Sequence, residues 1–260
     1  MNNELNHIKI EDVDCIKSKK RTDSCIIFLS GPSSLNTPLE LLSTSDVISV
    51  NGSTRYLLDN NIQSFIYVLT DARFLLQRNE DFHEFVAKSK FTIVNGDVYD
   101  SASEEDKKFI DDNGFVIRSL YKREKGGFLK KISLTMTALM DNKILIRVPF
   151  SKKKRLVGFS LDITHGYCSC HTVAYTALQI AYSLGYKKIV YSGLDLVDNC
   201  ARFYDEKNNK QASELSRDIG KILPFYAFMR EKVPYINVYN LSNNTAVSYD
   251  VVPFITPQEV

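Results

Sequence analysis

The chain is 260 residues long, 44% apolar, and carries 33 Lys and Arg against 31 Asp and Glu, a formal net charge of +2. That composition suffices for a large core, so one domain over 1–260 is the first expectation, and the near-balanced charge argues against wholesale nucleic-acid binding. Five cysteines without paired spacing exclude a secreted disulfide framework. The polar start lacks the apolar core of a signal peptide, and no run reaches the ~18 apolar residues of a membrane span. The expectation is a cytoplasmic protein whose contact with a membrane is at most peripheral.

Cys25 to Leu29 is a short apolar run that ends in Ser30-Gly31-Pro32-Ser33-Ser34, a buried strand opening into a turn. Asp46 to Val50, ending in Asn51-Gly52-Ser53, and Phe65 to Leu69, ending in Thr70-Asp71 before a helix, repeat the pattern. Phe91 to Val94 and Phe115 to Ile117 read as inner or edge strands, separated by an acidic helix over Ser101 to Asp112 that Ser103 would cap. From 121 to 165 the chain turns basic, through Lys122, Arg123, Lys130, Lys131 and the run Lys152-Lys153-Lys154-Arg155, and reads as an insertion or lid.

Val173, Ala174, Ala177, Leu178, Ala181 and Leu184 keep helical spacing, with Gly185 as the terminating glycine. The strand Ile189 to Tyr191 then ends in Ser192-Gly193-Leu194-Asp195. A helix over Ser213 to Lys232, interrupted or kinked at Pro224, leads to the strand Ile236 to Tyr239 and the turn Asn240-Leu241-Ser242-Asn243-Asn244. Strands alternating with helices predict an α/β fold, a Rossmann-like, doubly wound and mostly parallel sheet. In such sheets ligands bind beyond the strand carboxyl ends, near a topological switch point.

The turn Ser30 to Ser34 offers a glycine for close backbone approach and hydroxyls for a phosphate or ribose oxygen, without the lysine of a P-loop or the three glycines of a dinucleotide fingerprint. Cys168-Ser169-Cys170-His171 lacks a second ligand cluster, so the residues lead to no metal site. A Cys-His nucleophile pair is disfavoured, because residues two or three apart on one loop seldom face each other. The loop reads better as the entry to the helix at Thr172, whose free amides suit a carboxylate or phosphate.

The segment Leu184-Gly185-Tyr186-Lys187-Lys188-Ile189-Val190-Tyr191-Ser192-Gly193-Leu194-Asp195, with Ser30-Gly31-Pro32-Ser33 and Asn51, resembles the bacterial sialyltransferases that use a CMP-sugar, a GT-A-like variant of this fold. A resemblance running nearly end to end is carried by Ile26 to Pro32, Val50 to Ser53, Phe65 to Asp71, Arg123-Glu124-Lys125-Gly126-Gly127-Phe128, Gly166 to Thr172 and Ser213 to Asp218. It is to the RfaZ/WaaZ family of lipopolysaccharide core biosynthesis, regarded as transferases of Kdo (3-deoxy-D-manno-octulosonic acid). Kdo and sialic acid are both 2-keto-3-deoxy acids activated as CMP esters, so the two resemblances agree chemically.

The resemblance implies that Ser30, Gly31 and Ser33 meet the cytidine phosphate or ribose, that Asn51 meets the donor, and that Thr70 or Asp71 replaces an asparagine there. Thr172 falls near the donor carboxylate, Ser192, Gly193 and Asp195 line the cytidine, and Asn240, Ser242 and Asn243 close the nucleotide pocket. Two tyrosines and a histidine serve catalysis in the sialyltransferases. Here the first tyrosine position falls near Val197 and the second near Arg202, Phe203 and Tyr204, with Arg202 or Tyr204 as the phosphate stabiliser. The histidine position falls in Gln211 to Ser216, which has no histidine, leaving Glu214 as substitute base and His171 and Asp71 as rivals.

The implied reaction is transfer of Kdo from CMP-Kdo to the Kdo-lipid A inner core by inverting displacement, with no metal or other cofactor and no nucleic-acid partner. The basic run Lys152 to Arg155 would face the acceptor or the inner membrane. The competing expectation is a non-catalytic or regulatory sugar-nucleotide-binding protein that kept the fold and lost the base.

Overall fold

The computed structural model describes residues 7–120, 128–149, 156–196 and 215–260. In chain order its first part comprises α1 (Ile10–Ser18), β1 (Ser24–Phe28), α2 (Leu39–Thr44), β2 (Asp46–Val50), α3 (Thr54–Asp59), β3 (Ile66–Leu69), α4 (Ala72–Gln77) and α5 (Asn79–Lys88). There follow β4 (Phe91–Asn95), α6 (Gly96–Ser101), α7 (Glu104–Asn113) and β5 (Phe115–Ile117). The second part comprises α8 (Phe128–Met140), β6 (Ile144–Arg147), β7 (Val157–Ser160), α9 (Val173–Ser183), β8 (Lys188–Ser192), α10 (Leu215–Lys232) and β9 (Val238–Asn240).

Seven strands form one sheet in the order β5-β4-β3-β2-β1-β8-β9, and every pairing in it is parallel. The doubly wound expectation holds, with β4 internal and β5 at the edge. Alternate residues feed opposite faces, as the two-residue strand period requires. Ile66, Val68 and Ile93 join the core that includes α1, α9 and α10, whereas Tyr67, Leu69 and Val94 join the one built on α4, α5 and α7.

Two features go beyond the sequence reading. Between β5 and α9 the chain forms α8 and an antiparallel hairpin, β6 with β7, where composition suggested only an insertion or lid. The helix α10 runs without interruption from Leu215 to Lys232 although Pro224 lies inside it. Pro224 leaves the carbonyl of Gly220, four residues back, without its helical donor, and Gly220 is exposed.

Helix α9 is buried from Ala174 to Ala181 without a break, the pattern of a helix covered on all sides. The sheet lies beneath it, and β7 and α10 cover its outer face through the edge-to-face contacts of Tyr175 with Phe159 and Phe225. The one amide side chain in that buried stretch, Gln179, is fully saturated. Its Oε1 accepts from the backbone N–H groups of Ser160 and Cys168, both at 2.9 Å, and its Nε2 donates to the carbonyls of Cys168 and Tyr175, both at 3.1 Å. Gln179 thereby fastens the loop that carries Cys168 to the end of β7 and to α9.

Replacing it with leucine keeps the volume and leaves the Ser160 and Cys168 amides without an acceptor. We expect Gln179→Leu to lower stability by about 3 kcal/mol, read as a reduced urea midpoint at unchanged slope. An unchanged midpoint would show that the loop does not depend on this side chain.

Candidate functional site

From β1 the chain winds outward through β2 to β5 on one side and returns to place β8 and β9 on the other. The strand order therefore reverses between β1 and β8, and the loops after these two strands flank the switch point. Helices α9 and α10 each precede a strand parallel to the others, so their N-termini lie at the same carboxyl rim. The hydrogen bond from Tyr191 Oη near the end of β8 to the Ala174 carbonyl at the start of α9, 3.0 Å, fixes this geometry.

At the switch point the two loops touch backbone to backbone. A Cβ built on Gly31 would stand 2.3 Å from the Gly193 carbonyl oxygen and 2.6 Å from Asp195 Oδ2, and Gly193 itself has φ +83°. Neither position tolerates a side chain. Asp195 locks the contact, accepting the Ser33 N–H at 3.0 Å and the Ser33 hydroxyl. Below it Thr37 Oγ1 and Ser192 Oγ lie 2.7 Å apart with both residues buried.

The turn after β9 is built in the same way. Asn240 donates to the Leu194 carbonyl at 3.2 Å and accepts from the Ser242 N–H at 3.0 Å, and Asn243 is exposed beside it. The side chains of Ser33, Ser192, Asp195, Asn240 and Ser242 thus make the loops; Ser30 is half-buried.

Asn51, directly after β2, differs. It holds φ +47°, a left-handed conformation that costs a non-glycine residue on the order of 1 kcal/mol, and its Oδ1 is buried without a hydrogen-bond partner among the described residues. After β3, Asp71 caps α4 through the Arg73 N–H at 3.1 Å and pairs with the Arg73 guanidinium at 2.9 and 3.0 Å. The Thr70 carbonyl accepts from Asn95 Nδ2 at 3.4 Å, and Asn95 also donates to Tyr167 Oη at 3.1 Å.

The fourth part of the rim joins α9 to α10. Thr172 caps α9 by accepting the Ala174 N–H at 3.2 Å, and the preceding His171 places Nδ1 3.3 Å from Asp218 Oδ2. Asp218 also meets the Lys221 ammonium one turn on. All three side chains are largely buried. Behind them Tyr226 Oη donates to Tyr191 Oη at 3.1 Å, which donates on to the Ala174 carbonyl. Burial holds the Tyr175, Tyr191 and Tyr226 hydroxyls well above the ordinary tyrosine pKa, so this relay stays neutral and acts as a brace.

The rim therefore gathers Ser30, Gly31, Ser33, Asn51, Thr70, Asp71, His171, Thr172, Ser192, Gly193, Asp195, Asn240, Ser242 and Asn243 along one edge of the sheet. The other sequence candidates, Glu214, Arg202, Tyr204, Lys152, Lys153, Lys154 and Arg155, lie outside the described residues. Asn95, Tyr167 and Asp218 were not singled out from the sequence. Asn95 carries the signal that marked Asn51, a small polar residue closing an apolar run; Asp218 is separated from its partner by 47 residues and gives no local signal.

Among the described residues no three His, Cys, Asp or Glu are grouped to hold a metal ion, and Cys168 and Cys170 are buried and in no disulfide. A separate depression of about 360 Å³, lined by Asn79, Glu80, His83, Ser103, Glu105 and Asp106, lies toward the β5 edge. Its polar atoms cap α7: Asp106 binds Ser103, Asn79 and His83 at 2.7–3.0 Å.

A parallel doubly wound sheet with polar turns along its carboxyl rim on either side of the switch point is the α/β architecture whose ligands bind at that rim. The same fold occurs in the MAf glycosyltransferase of Magnetospirillum magneticum AMB-1, 14% identical with a TM-score of 0.50; the alignment covers 98% of this chain and 35% of that longer one. The sialyltransferase CST-II, solved with a trisaccharide acceptor and CMP, aligns at 17% identity and a TM-score of 0.47 over 89% of this chain and 85% of its own.

Residues 7–258 match the family of 3-deoxy-D-manno-octulosonic acid transferase WaaZ, and the chain belongs to that family of glycosyltransferases. Two relatives named "Probable 3-deoxy-manno-octulosonic acid transferase" are 57% identical, in Escherichia coli (strain K12), and 55% identical, in Salmonella typhimurium (strain LT2). Both alignments span 98% of this chain, and 90% and 95% of the relatives.

The glycine contact makes its own test. In Gly31→Ala the new methyl must displace the Gly193 carbonyl or the Asp195 carboxylate, and we expect a loss of about 2 kcal/mol in denaturant unfolding. Wild-type stability in that variant would show that the two loops are not locked together.

Proposed function

We propose that the chain transfers Kdo from CMP-Kdo to the Kdo-lipid A inner core of lipopolysaccharide, at the cytoplasmic face of the inner membrane, by a single inverting displacement. Residues 1–260 act as one transferase domain with 121–165 as its lid. Membership of the WaaZ family supports the choice of sugar. The observation that carries the donor site is Asn51, strained, at the switch-point rim, with a buried and unsatisfied Oδ1. A backbone strained at such a place and a polar atom awaiting a donor are what a ligand hydroxyl would complete.

In this reading Asn51 and Ser30 contact the donor, and the turn around Gly31 and Ser33 and the loop Ser192 to Asp195 present backbone groups to the cytidine and phosphate. Thr172 and the first amides of α9 face the donor carboxylate, while Thr70, Asp71, Asn240, Ser242 and Asn243 shape the pocket wall.

His171 is the base this geometry supports. Asp218 and its hold on Nδ1 orient the imidazole, so Nε2 is the nitrogen for proton transfer. The base takes the proton of the acceptor hydroxyl as its oxygen bonds to the anomeric carbon. The bond from that carbon to the CMP phosphate breaks, and its electron pair leaves with the phosphate. Arg202 or Tyr204 would stabilise that leaving charge, and Glu214 is the rival base. No metal or cofactor is required by this scheme.

Incubating the protein with CMP-Kdo and Kdo-lipid A should release CMP and add one Kdo to the acceptor, read by mass. We expect His171→Ala to lower kcat by about 10²–10⁴-fold, and Asp218→Asn, which only misorients the ring, by about tenfold at unchanged KM. Full activity in His171→Ala would transfer the role to Glu214. CMP binding without turnover by the wild type would favour the non-catalytic reading.

A second expectation concerns Asn51. Asn51→Gly relieves the left-handed strain and should leave stability unchanged or raise it by up to about 1 kcal/mol, while raising the KM for CMP-Kdo. An unaltered KM would remove Asn51 from the donor site.

A further inference from the structure

Helix α8 is turned inside out relative to an ordinary surface helix. Lys131, Leu134, Thr135 and Ala138 share its half-buried face, with the Lys131 ammonium donating to the Pro149 carbonyl at 3.1 Å. The opposite face carries Leu129 (81% exposed), Ile132 (44%), Met136 (52%), Leu139 (78%) and Met140 (81%). These positions recur every three or four residues, so they form one apolar stripe along a helix roughly 20 Å long.

Along the sequence, basic residues are concentrated in the segment that contains this helix. Between 121 and 155 lie 11 of the 33 Lys and Arg but only Glu124 and Asp141 of the 31 acids, a net +9 against −7 for the remainder. An apolar stripe set in a strongly basic segment is complementary to one surface above others, an anionic lipid headgroup layer over acyl chains. The excursion leaves the rim at Ser119 and returns to it at Tyr167, where the two residues form a parallel bridge. His165 Nδ1, 2.5 Å from Asp141 Oδ2, ties the end of the helix to that return.

We propose that α8 lies in the plane of an anionic membrane with Leu129, Ile132, Met136, Leu139 and Met140 inserted among the lipids, holding the carboxyl rim at the bilayer surface. This gives the proposed function its membrane contact and rests on that reading only for the location of the acceptor.

The test is co-sedimentation of the full chain with phosphatidylcholine vesicles, with and without about one-third phosphatidylglycerol. Neither lipid carries a glycan and no donor is present, so the result does not depend on transferase activity. The wild type should pellet with the anionic vesicles, and Leu129→Glu with Leu139→Glu should bind them at least about tenfold more weakly. Both side chains are largely exposed, and an unchanged circular-dichroism melt confirms the fold; the milder Leu139→Ser should lie between. Wild type left in the supernatant, or equal pelleting of the double variant, overturns the proposal. So does a wild-type dimer that the double variant converts to monomer by light scattering, which assigns the stripe to a second copy of the chain.

Discussion

The contact between Gly31 and Gly193 is the constraint on which the rest of the site depends. The loops after β1 and β8 meet where the strand order reverses, and they meet through backbone because neither residue has a Cβ. With the loops this close, Asp195 reaches the Ser33 amide and hydroxyl and neutralises the turn's free donors. The floor of the switch-point crevice is thereby closed by the protein itself. Asn51, the start of α9 and the turn after β9 stand around that floor.

Buried polar groups set the height and angle of those surrounding elements. Gln179 fixes the loop before His171, and the Tyr226–Tyr191–Ala174 relay fixes α10 against α9. Each of these groups is saturated, which in a dry interior converts a polar side chain from a cost into a positional restraint. His171 and Asp218 come from segments 47 residues apart, yet their separation follows from these two restraints. The ends of the strands opposite the rim are held by a comparable device: buried Asp46 accepts from Arg21 and from Tyr186 Oη, joining the turn after α9 to the entrance of β2.

Much of the sheet is legible in the sequence because parallel strands buried on both faces appear as unbroken apolar runs closed by small polar residues. Cys25 to Leu29 and Phe65 to Leu69 are such runs, Asp46 to Val50 is one interrupted at Ser49, and the structure places strands at all three within a residue or so. The hairpin β6–β7 is not legible in this way: Val157-Gly158-Phe159-Ser160 is short, contains glycine and sits in a basic stretch. The last strand begins two residues later than its apolar run suggests, because the Ile236 amide closes a turn on Val233 and its carbonyl accepts from Arg230.

The rim as a list of positions is readable from the strand ends, but the state of each side chain on it is not. Asp195 and Asp71 look equally available in sequence, yet Asp195 is engaged by Ser33, which only the fold brings close, and Asp71 by Arg73 two residues on. Asn51 looks no different from Asn95, yet Asn95 donates to Tyr167 and Thr70 while Asn51 keeps a buried oxygen unmatched. The distinction matters because a satisfied polar group stabilises the free protein and an unsatisfied, strained one destabilises it. A residue of the second kind persists after β2, beside the switch point, at a cost to the free protein.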